Sequence, residues 1–484
     1  MNGWRRYQAC GTTRFNESDG AAASIATQRP SVSMARRAAP MALTTMTVLA
    51  AMLPVTGVHA GSGFELRSQS ATTLGTAQAG MTAGAADLTT MIFNPAALAY
   101  GTGTEGAIGL TGLFTGVQFA VTGATTLIGT PIPGNAGGNA GTDVAVPNLY
   151  VAADVTNAIR FGLAVAPRFG LGSYWASGWV GRYYALDSEL TTVDIVPSLS
   201  YKASPALSFG LGIDVQYAKI KTSSAIDFGT IDQVLTGGAF GGIPAGSDGS
   251  LSSTADSWGA GVVIGVLYEP QPGTRIGFDY HSRIRQQLRG DATFDTGGPV
   301  GQGIALVSGA FSDTSLSSTL DMPASAAIGV YHELNADWAV MADAKWTGWS
   351  SLQTLQVSFG NPAQAPVQTA FAWRDSWFAA IGARYRVNER TALRFGVAYD
   401  QSPTRDQTRN PIIPDSDSYW AALGLEYRFS QGLKMDVAYG HVFARDASIN
   451  LKASDADNAF RGNLAGTIQA SQVDYLAVQL VYRF

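Results

Sequence analysis

Apolar side chains alternate with polar or small ones along residues 475–484, at the end of this chain. Successive side chains of a β-strand point to opposite faces, so Leu476 and Leu480 would share one face and Gln479 would lie on the other. Segments of about ten residues with aromatic ends are typical of the strands of an outer-membrane barrel. The same alternation recurs in residues 377–387, 419–429 and 433–443.

Fourteen candidate strands follow when this pattern is extended over the chain after residue 103. Short turns, such as Asn388-Glu389, alternate with long connections, such as 221–254. This alternation distinguishes outer-membrane barrels, whereas a soluble β-sandwich would not need aromatic residues at so many strand ends. The sequence therefore predicts an all-β fold, a transmembrane antiparallel β-barrel of about 14 strands in residues 104–484. The candidate strands are 105–122, 145–154, 159–170, 189–202, 206–220, 255–269, 274–289, 317–334, 337–349, 371–387, 390–400, 417–429, 433–446 and 470–484.

The composition excludes a bundle of membrane helices. Of the 484 residues, 14% are charged and 46% are apolar. Membrane helices would appear as repeated apolar runs of about 20 residues. Only one run in the sequence approaches this length, Met41–Val58. Helices and closed barrels are the structures that satisfy backbone hydrogen bonds in lipid. After residue 60 the sequence therefore favours the barrel.

A targeting segment is predicted at the front of the chain. Two arginines, Arg36 and Arg37, precede the apolar run, and residues 58–60 form a small-residue cleavage pattern. Residues 1–60 are therefore interpreted as a signal peptide with an upstream extension. A genuine transmembrane anchor is the alternative, but a proline and a glycine shorten the already marginal run.

No catalytic constellation is evident after residue 60. The single cysteine, Cys10, falls in the predicted leader, so no thiol nucleophile is expected in the mature chain. The remaining histidines, His281, His332 and His441, stand outside hydrolase, Walker and His-Glu-x-x-His patterns. We expect no enzyme activity, no cofactor and no metal site. The net charge of -5 gives a nucleic-acid partner no electrostatic support.

Residues 61–103 do not alternate as a strand does. They are rich in glycine, alanine and threonine and end near Asn94-Pro95-Ala96, where an Asn-Pro pair favours a turn. The lumen of a wide barrel offers room for such a segment, and a flexible periplasmic tail is the alternative. Because the glycines favour tight turning, we predict a hatch in the lumen that includes Asn94, Pro95 and Ala96.

A proline interrupts the third candidate strand. Pro167 lies in its middle, and Gly170 follows it. Proline lacks the N–H that a ladder needs and is confined to edges, strand ends or bulges, but a closed barrel has no free edge. Two interpretations stay open. The wall has a local break at Pro167 and Gly170, or the strand merely ends early at Pro167.

Two of the long loops carry apolar residues that a loop in solvent does not need. Exposed apolar clusters mark binding surfaces, whereas small loop cores that pack on each other are the alternative. Both interpretations stay open. The residues are Val234, Leu235, Phe240 and Ile243 in one loop and Val300, Ile304, Leu306, Val307 and Phe311 in the other.

Several motifs are distributed along residues 61–484. They are Asn94-Pro95-Ala96, Asp321-Met322-Pro323, Arg374-Asp375-Ser376-Trp377, Tyr399-Asp400-Gln401-Ser402-Pro403 and Ile413-Pro414-Asp415-Ser416-Asp417. Together they resemble the FadL/TodX family of outer-membrane transporters for hydrophobic compounds. The resemblance implies a monomeric fourteen-stranded barrel with an N-terminal hatch. It also implies passive transport of long-chain fatty acids or, in the TodX-like branch, of aromatic hydrocarbons.

The resemblance further implies a route and a pocket. Family members capture ligand between outer loops, hold it in an internal pocket and release it sideways at a kinked third strand, where Pro167 and Gly170 fall here. Two basic residues hold the carboxylate, and matching motifs assign them to Arg374 and Lys219. Arg374 shares the parity of inward Phe378, whereas Lys219 would point inward only if a bulge intervenes or if the strand has left the bilayer there. With Phe378 from strand parity and the apolar residues of the two long loops, the expected binding residues are Arg374, Lys219, Phe378, Phe240, Leu306 and Phe311.

The implied partners are hydrophobic small molecules, outer-membrane lipid and lipopolysaccharide. The terminal Phe484 resembles the last residue of barrels that are presented to the outer-membrane assembly machinery. The expected location is the outer membrane of a Gram-negative bacterium. A general porin or a passive adhesin is a further alternative, which the predicted hatch and the apolar loops disfavour. The sequence does not distinguish a fatty acid from an aromatic hydrocarbon.

Overall fold

The computed structural model describes residues 63–484, so the predicted leader at 1–60 lies outside the described residues. Twenty strand segments form one antiparallel sheet in that range. The sheet closes on itself because the first segment pairs with both the second and the last. The segments are β1 (Glu105–Thr125), β2 (Val144–Asp154), β3 (Ile159–Ala166), β4 (Gly170–Tyr174), β5 (Asp187–Ser204), β6 (Leu207–Asp227), β7 (Asp248–Gln271), β8 (Thr274–His281), β9 (Ile284–Asp295), β10 (Thr314–Met322), β11 (Ser325–Glu333), β12 (Trp338–Thr347), β13 (Thr354–Phe359), β14 (Val367–Ala370), β15 (Ser376–Arg386), β16 (Thr391–Asp400), β17 (Ser418–Arg428), β18 (Leu433–Ala444), β19 (Ala447–Leu451) and β20 (Asn463–Arg483).

Fourteen wall strands result, because some consecutive segments continue one another across the wall. The joined pairs are β3 with β4, β8 with β9, β10 with β11, β12 with β13, β14 with β15, and β18 with β19. The last wall strand meets the first where Glu105 pairs with Arg483. The predicted closed antiparallel barrel of fourteen strands is confirmed.

The two faces of the wall follow the predicted alternation. In β20, Leu476 and Leu480 are 49% and 40% exposed, whereas Tyr475 and Gln479 are buried. The outward side chains are apolar, and polar groups collect on the inward positions. The outer face therefore suits the hydrocarbon of a membrane, and the inner face surrounds the lumen.

Short turns close one end of the barrel, and long loops extend from the other. The helices are α1 (Ala71–Leu74), α2 (Phe228–Thr236), α3 (Pro299–Ser308) and the 3-10 segments Leu88–Ile92, Pro95–Tyr100, Trp349–Ser351 and Ala456–Arg461. Asp227 begins α2 by accepting a hydrogen bond from Thr230 N at 2.9 Å, and Gly237 ends it with a left-handed φ of 70°. Among the described residues, no helix has the length and apolar character that would span a membrane.

The segment ahead of β1, residues 63–103, lies in the lumen and is called the hatch below. Most of its side chains are buried. Wall glycines let its backbone approach closely: a Cβ on Gly396 would overlap Thr76 O, and a Cβ on Gly210 would overlap Ala96 N. A side chain at either position would push the hatch away from the wall. This close approach explains why glycine recurs on the lumen side of the strands.

Candidate functional site

Asn94 attaches the hatch to the wall. Its Nδ2 donates to Thr82 O at 2.8 Å within the hatch and to Val266 O at 3.2 Å on β7. Its Oδ1 accepts from Ala96 N at 3.0 Å. Pro95 occupies the first position of a 3-10 segment, where no N–H is needed. The Asn-Pro-Ala motif therefore begins a helical turn and ties that turn to the barrel.

Buried ion pairs also join the hatch to the wall. They are Arg67 with Asp400 (3.1 Å), Lys434 with Asp87 (2.9 Å) and Lys345 with Glu65. Burial raises the pKa of Asp87, but Lys434 and hydrogen bonds from Thr72 and Thr89 outweigh it and hold that pKa below its usual range. Buried charges persist only when they are paired in this way. The hatch is therefore fixed to strands on several sides of the lumen.

The loop between β16 and β17 holds the start of the hatch. Asp415 Oδ2 accepts a hydrogen bond from Gly63 N at 3.0 Å and another from Ser402 Oγ. Burial raises the pKa of Asp415 to about 7, although these two hydrogen bonds oppose the shift. This carboxyl group therefore binds a proton at mildly acidic pH. The hatch thus reaches from its wall contacts to an external loop.

The third wall strand is interrupted at its proline. β3 ends one residue before Pro167, and β4 begins at Gly170. The hatch pairs with this interruption from inside, because Leu66 N donates to Arg168 O at 2.8 Å and Gly170 N donates to Phe64 O at 2.9 Å. Backbone groups that the wall ladder leaves at the break therefore find partners in the hatch.

The same interruption separates β2 from β4. Within residues 144–174, all of which the structure describes, β2 pairs with β3 only over Leu149–Asp154. The part of β2 before Leu149 pairs with β1, and β4 pairs with β5. The wall ladder is therefore discontinuous between β2 and β4, on the extracellular side of Pro167.

Arg168 holds the interrupted strand to its other neighbours by charge. Its Nη1 lies 2.8 Å from Asp214 Oδ2 on β6, and its backbone N donates to Asp194 Oδ2 on β5 at 3.0 Å. All three side chains are buried. An ion pair and a side-chain acceptor thus replace the ladder over the residues where the wall strand is broken.

An apolar cavity of about 120 Å³ lies in the extracellular half of the lumen. Among the described residues that line this cavity, Arg461 is the only cation. The Arg461 guanidinium lies 3.4 Å from Thr369 Oγ1, and no carboxylate of a described residue is within ion-pair distance of it. Burial lowers the pKa of Arg461, which Tyr184 and Asp457 partly oppose. The apolar lining includes Ile220, Leu251, Leu288, Leu316, Leu355, Val357, Phe359 and Ile412.

Arg374 does not line this cavity. Its side chain is exposed, and its Nε lies 3.4 Å from Ser402 O. Arg374 precedes β15, which begins at Ser376, so the parity that it shares with Phe378 does not fix the direction of its side chain. Its role in binding the carboxylate stays a prediction.

Lys219 also lies off the cavity. It pairs with Thr191, and the register shift between β5 and β6 lies far away, between Lys202 and Ser204. No bulge intervenes near Lys219, and the neighbouring Ile220 faces the cavity. The strand β6 continues past Lys219 to Asp227, so the other predicted condition, a strand that has left the bilayer, is not excluded. The role of Lys219 in binding stays a prediction.

Phe378 faces the lumen, as its parity predicts, and is 2% exposed. It contacts the hatch, because the Arg67 guanidinium carbon lies 3.9 Å from the centre of its ring. This stacking adds a cation–π interaction to the Arg67–Asp400 ion pair. The structure thus places Phe378 beneath the hatch and outside the apolar cavity.

The two apolar loops both pack on each other and expose apolar surface. Phe240 and Phe311 pack against a small core of Phe228, Ile231 and Ile304 between α2 and α3. Leu306 is 86% exposed. Both interpretations of these loops therefore hold, each for different residues. The other exposed apolar side chains are Val234, Leu235, Ile243 and Val307, and together with Leu306 they are called the loop surface below.

A barrel with an apolar outer face, a lumen hatch and an apolar internal cavity defines a class of outer-membrane transport channels. The family model described as "Outer membrane protein transport protein (OMPP1/FadL/TodX)" matches residues 52–484. The chain belongs to this family. It is therefore a transporter of hydrophobic compounds in the outer membrane of a Gram-negative bacterium.

Named relatives agree with this membership. The chain is 28% identical over 417 residues to "Long-chain fatty acid transport protein" of Escherichia coli O6:H1, covering 83% of this chain and 91% of that protein. It is 28% identical over 417 residues to "Outer membrane protein P1" of Haemophilus influenzae, covering 81% and 88%. These relatives match along most of their own length.

Solved structures share the fold. A Pseudomonas aeruginosa FadL homologue matches with a TM-score of 0.81 at 27% identity, covering 87% of this chain and 100% of that one. The Pseudomonas putida toluene transporter TodX matches with a TM-score of 0.62 at 20% identity, covering 82% and 94%. At that lower identity the second likeness concerns the fold alone.

Proposed function

We propose that this transporter carries long-chain fatty acids across the outer membrane by passive diffusion. The observation that carries the proposal is the Arg461 guanidinium, which borders an apolar cavity without a carboxylate partner among the described residues. A partly desolvated cation beside apolar walls is complementary to a molecule with an anionic head and a hydrocarbon chain. The printed name of the Escherichia coli relative supports the same substrate class.

The proposed route has three stations. The loop surface around Leu306 captures the hydrocarbon from water, because exposed apolar patches bind apolar ligands. The cavity beside Arg461 then holds the molecule by its carboxylate. Release follows sideways at Pro167 and Gly170, where the wall ladder between β2 and β4 is discontinuous. The substrate thus leaves within the wall and avoids the periplasm.

Uptake of an aromatic hydrocarbon is the second candidate. It is favoured by the small volume of the cavity, about 120 Å³, which suits one aromatic ring better than a long chain. A neutral hydrocarbon, however, would not need Arg461. Uptake of labelled oleate and of toluene by cells that lack their own transporter, with and without this protein, separates the two substrates.

Replacing Arg461 with alanine is expected to weaken oleate binding by about 1 to 3 kcal/mol, because a charge-assisted hydrogen bond to the carboxylate is lost. Binding of oleyl alcohol, which has the same chain without the charge, should stay unchanged. Titration of the purified protein in detergent micelles measures both affinities. Equal weakening for oleate and oleyl alcohol would show that Arg461 acts on packing and not on the carboxylate.

Arg374→Ala is the matched comparison, since it removes the same charge from an exposed position. We expect oleate affinity to change by less than about 0.5 kcal/mol in this variant. If Arg374→Ala instead weakens oleate binding and Arg461→Ala does not, the carboxylate site follows the family motif, and the assignment to Arg461 fails.

Replacing Pro167 with alanine is expected to slow oleate uptake several-fold without changing oleate affinity. Alanine supplies a backbone N–H and allows the strand to continue across the break, which would narrow the lateral exit. Pro205→Ala, in the short turn between β5 and β6, serves as the control. Unchanged uptake in a folded Pro167→Ala variant would remove the break from the route.

The remaining partners follow from the outer face of the barrel. We propose that the chain acts as a monomer whose apolar outer wall contacts lipid and lipopolysaccharide. Phe484 is 80% exposed, and its ring lies 4.8 Å from that of Tyr482. An accessible terminal aromatic residue supports recognition by the outer-membrane assembly machinery during insertion.

A further inference from the structure

A second pocket, of about 180 Å³, opens at the periplasmic end of the lumen. Hatch residues between Thr72 and Ala86, among them Gly80 and Gly84, form one side of it. None of the steps of the proposed route uses this pocket. The wall side carries Arg275, Arg384, Arg386, Arg394 and Arg428, and the site is called the arginine pocket below.

Cations outnumber carboxylates in the arginine pocket. Glu426 is the only carboxylate among the described residues that line the pocket. It pairs with Arg394 and lies 2.9 Å from Arg428 Nε. Arg384 Nη2 lies farther from it, at 3.8 Å, and Arg386 makes no ion pair with a described residue. One carboxylate is therefore shared among several guanidinium groups.

The residues behind the pocket do not remove this surplus. Asp436 pairs with Arg394 and lies 3.2 Å from Lys434 Nζ. Lys434 in turn pairs with Asp87 of the hatch. The lining and its paired neighbours thus comprise six cations and three carboxylates among the described residues. Like charges this close repel one another where water is scarce, so an added anion would stabilise the pocket.

Two of the guanidinium groups are held in place before any ligand arrives. Arg275 donates through Nε to Ala83 O at 3.0 Å and through Nη2 to Gly84 O at 2.6 Å. Its guanidinium carbon also lies 4.1 Å from the ring centre of Tyr331. Arg394 is 3% exposed and held by its two carboxylates. Fixed guanidinium groups lose little entropy when they bind an oxyanion.

The pocket lies at the level of the periplasmic membrane surface. On the outer face of the same strand ends, Trp338 lies 4.7 Å from Tyr385 and Tyr427 lies 4.9 Å from Phe429, measured between ring centres. Aromatic girdles of barrels sit at the membrane interface, where lipid headgroups are. A phosphate of the inner leaflet and a phosphate free in the periplasm are both found at this level.

We propose that the arginine pocket binds a phosphate oxyanion, from a phospholipid headgroup or free in the periplasm. Guanidinium groups bind phosphate oxygens in bidentate fashion. A free phosphate dianion also offsets more of the positive surplus than a carboxylate does, whereas a phospholipid phosphodiester carries one negative charge. The volume of about 180 Å³ accommodates a phosphate group with a few waters. The site is independent of the proposed fatty-acid route.

Calorimetric titration of the purified protein in maltoside micelles with inorganic phosphate tests the site. The variant is Arg386→Ala with Arg428→Ala, because both side chains are on the exposed rim. Their loss removes one partner of Glu426 but leaves the pairs of Arg394 with Glu426 and Asp436 in place. We expect at least about a tenfold loss of affinity. Arg390→Ala, from the adjacent turn and outside the pocket lining, should stay within about twofold.

A second arm identifies the source of the phosphate. The protein is reconstituted into nanodiscs of phosphatidylglycerol or of a neutral glycolipid. Native mass spectrometry then measures the number of lipid molecules that stay bound to the protein. Retention of phosphatidylglycerol that the double variant abolishes supports the site with a headgroup as ligand, and saturable inorganic phosphate binding alone supports it with free phosphate. Absence of both, or an equal loss in Arg390→Ala, overturns the proposal.

Discussion

Replacing Arg168 with methionine is expected to lower the free energy of unfolding by about 3 to 5 kcal/mol, the cost of leaving a buried charge without its partner. Arg168 is the only cation of the described residues within ion-pair distance of Asp214, with 2.8 Å between the charged atoms. The Asp214 side chain is buried, with 1% of its surface exposed. Methionine retains most of the volume of the side chain, so the decrease in the free energy of unfolding measures the effect of removing the charge. Urea unfolding of the reconstituted barrel, followed by tryptophan fluorescence, measures it.

Two further variants make the Arg168 prediction specific. Asp214→Asn in the Arg168→Met background should recover much of the loss, because the unpaired charge is removed together with its partner. Arg445→Met, at an exposed arginine, should change the free energy of unfolding by less than about 0.5 kcal/mol. A single Arg168→Met variant as stable as the parent would show that Asp214 is solvated or protonated in the folded barrel.

The barrel could be predicted from the sequence because its main signal is local. A period of two needs only the next residue for its detection, and in β20 it assigns Tyr475 and Leu476 to the correct faces. The predicted strand ends are less accurate where strands extend beyond the membrane. β6 continues to Asp227 and β7 begins at Asp248, whereas the pattern predicts 220 and 255. The outer parts of these strands have no lipid-facing apolar positions to mark them.

The candidate site was less accessible to this reasoning. Arg374 lies ahead of β15, which begins at Ser376, so the parity that it shares with Phe378 does not fix the direction of its side chain. Arg461 lies in a long loop at the end of a 3-10 segment, where no periodicity exists. Its position beside Ile220 depends on contacts between residues far apart in sequence. Loop residues of this kind become candidates only when the fold brings them to a cavity.

Glycine in the wall has a role that composition alone only hints at. The sequence contains 56 glycines, and a strand interior normally disfavours glycine because it adds entropy to the unfolded chain and no packing. Close approach of the hatch explains the exception. At Gly396 the backbone of Thr76 occupies the space where a Cβ would lie. Glycine therefore lowers the stability of the wall strand itself but allows the hatch backbone to contact it.

Replacing Gly396 with alanine is therefore expected to destabilise the barrel by about 3 kcal/mol, the upper part of the usual range for overpacking, because the obstacle is backbone and not a movable side chain. The displaced hatch should also raise the steady ion current through single barrels in planar bilayers. Gly109→Ala is the matched control, since a Cβ there meets its nearest atoms at an ordinary 3.7 Å. Equal stability and equal current in the two variants would mean that the hatch yields easily at Thr76. In that case, the buried ion pairs of Arg67, Lys345 and Lys434 would hold the hatch without help from the wall glycines.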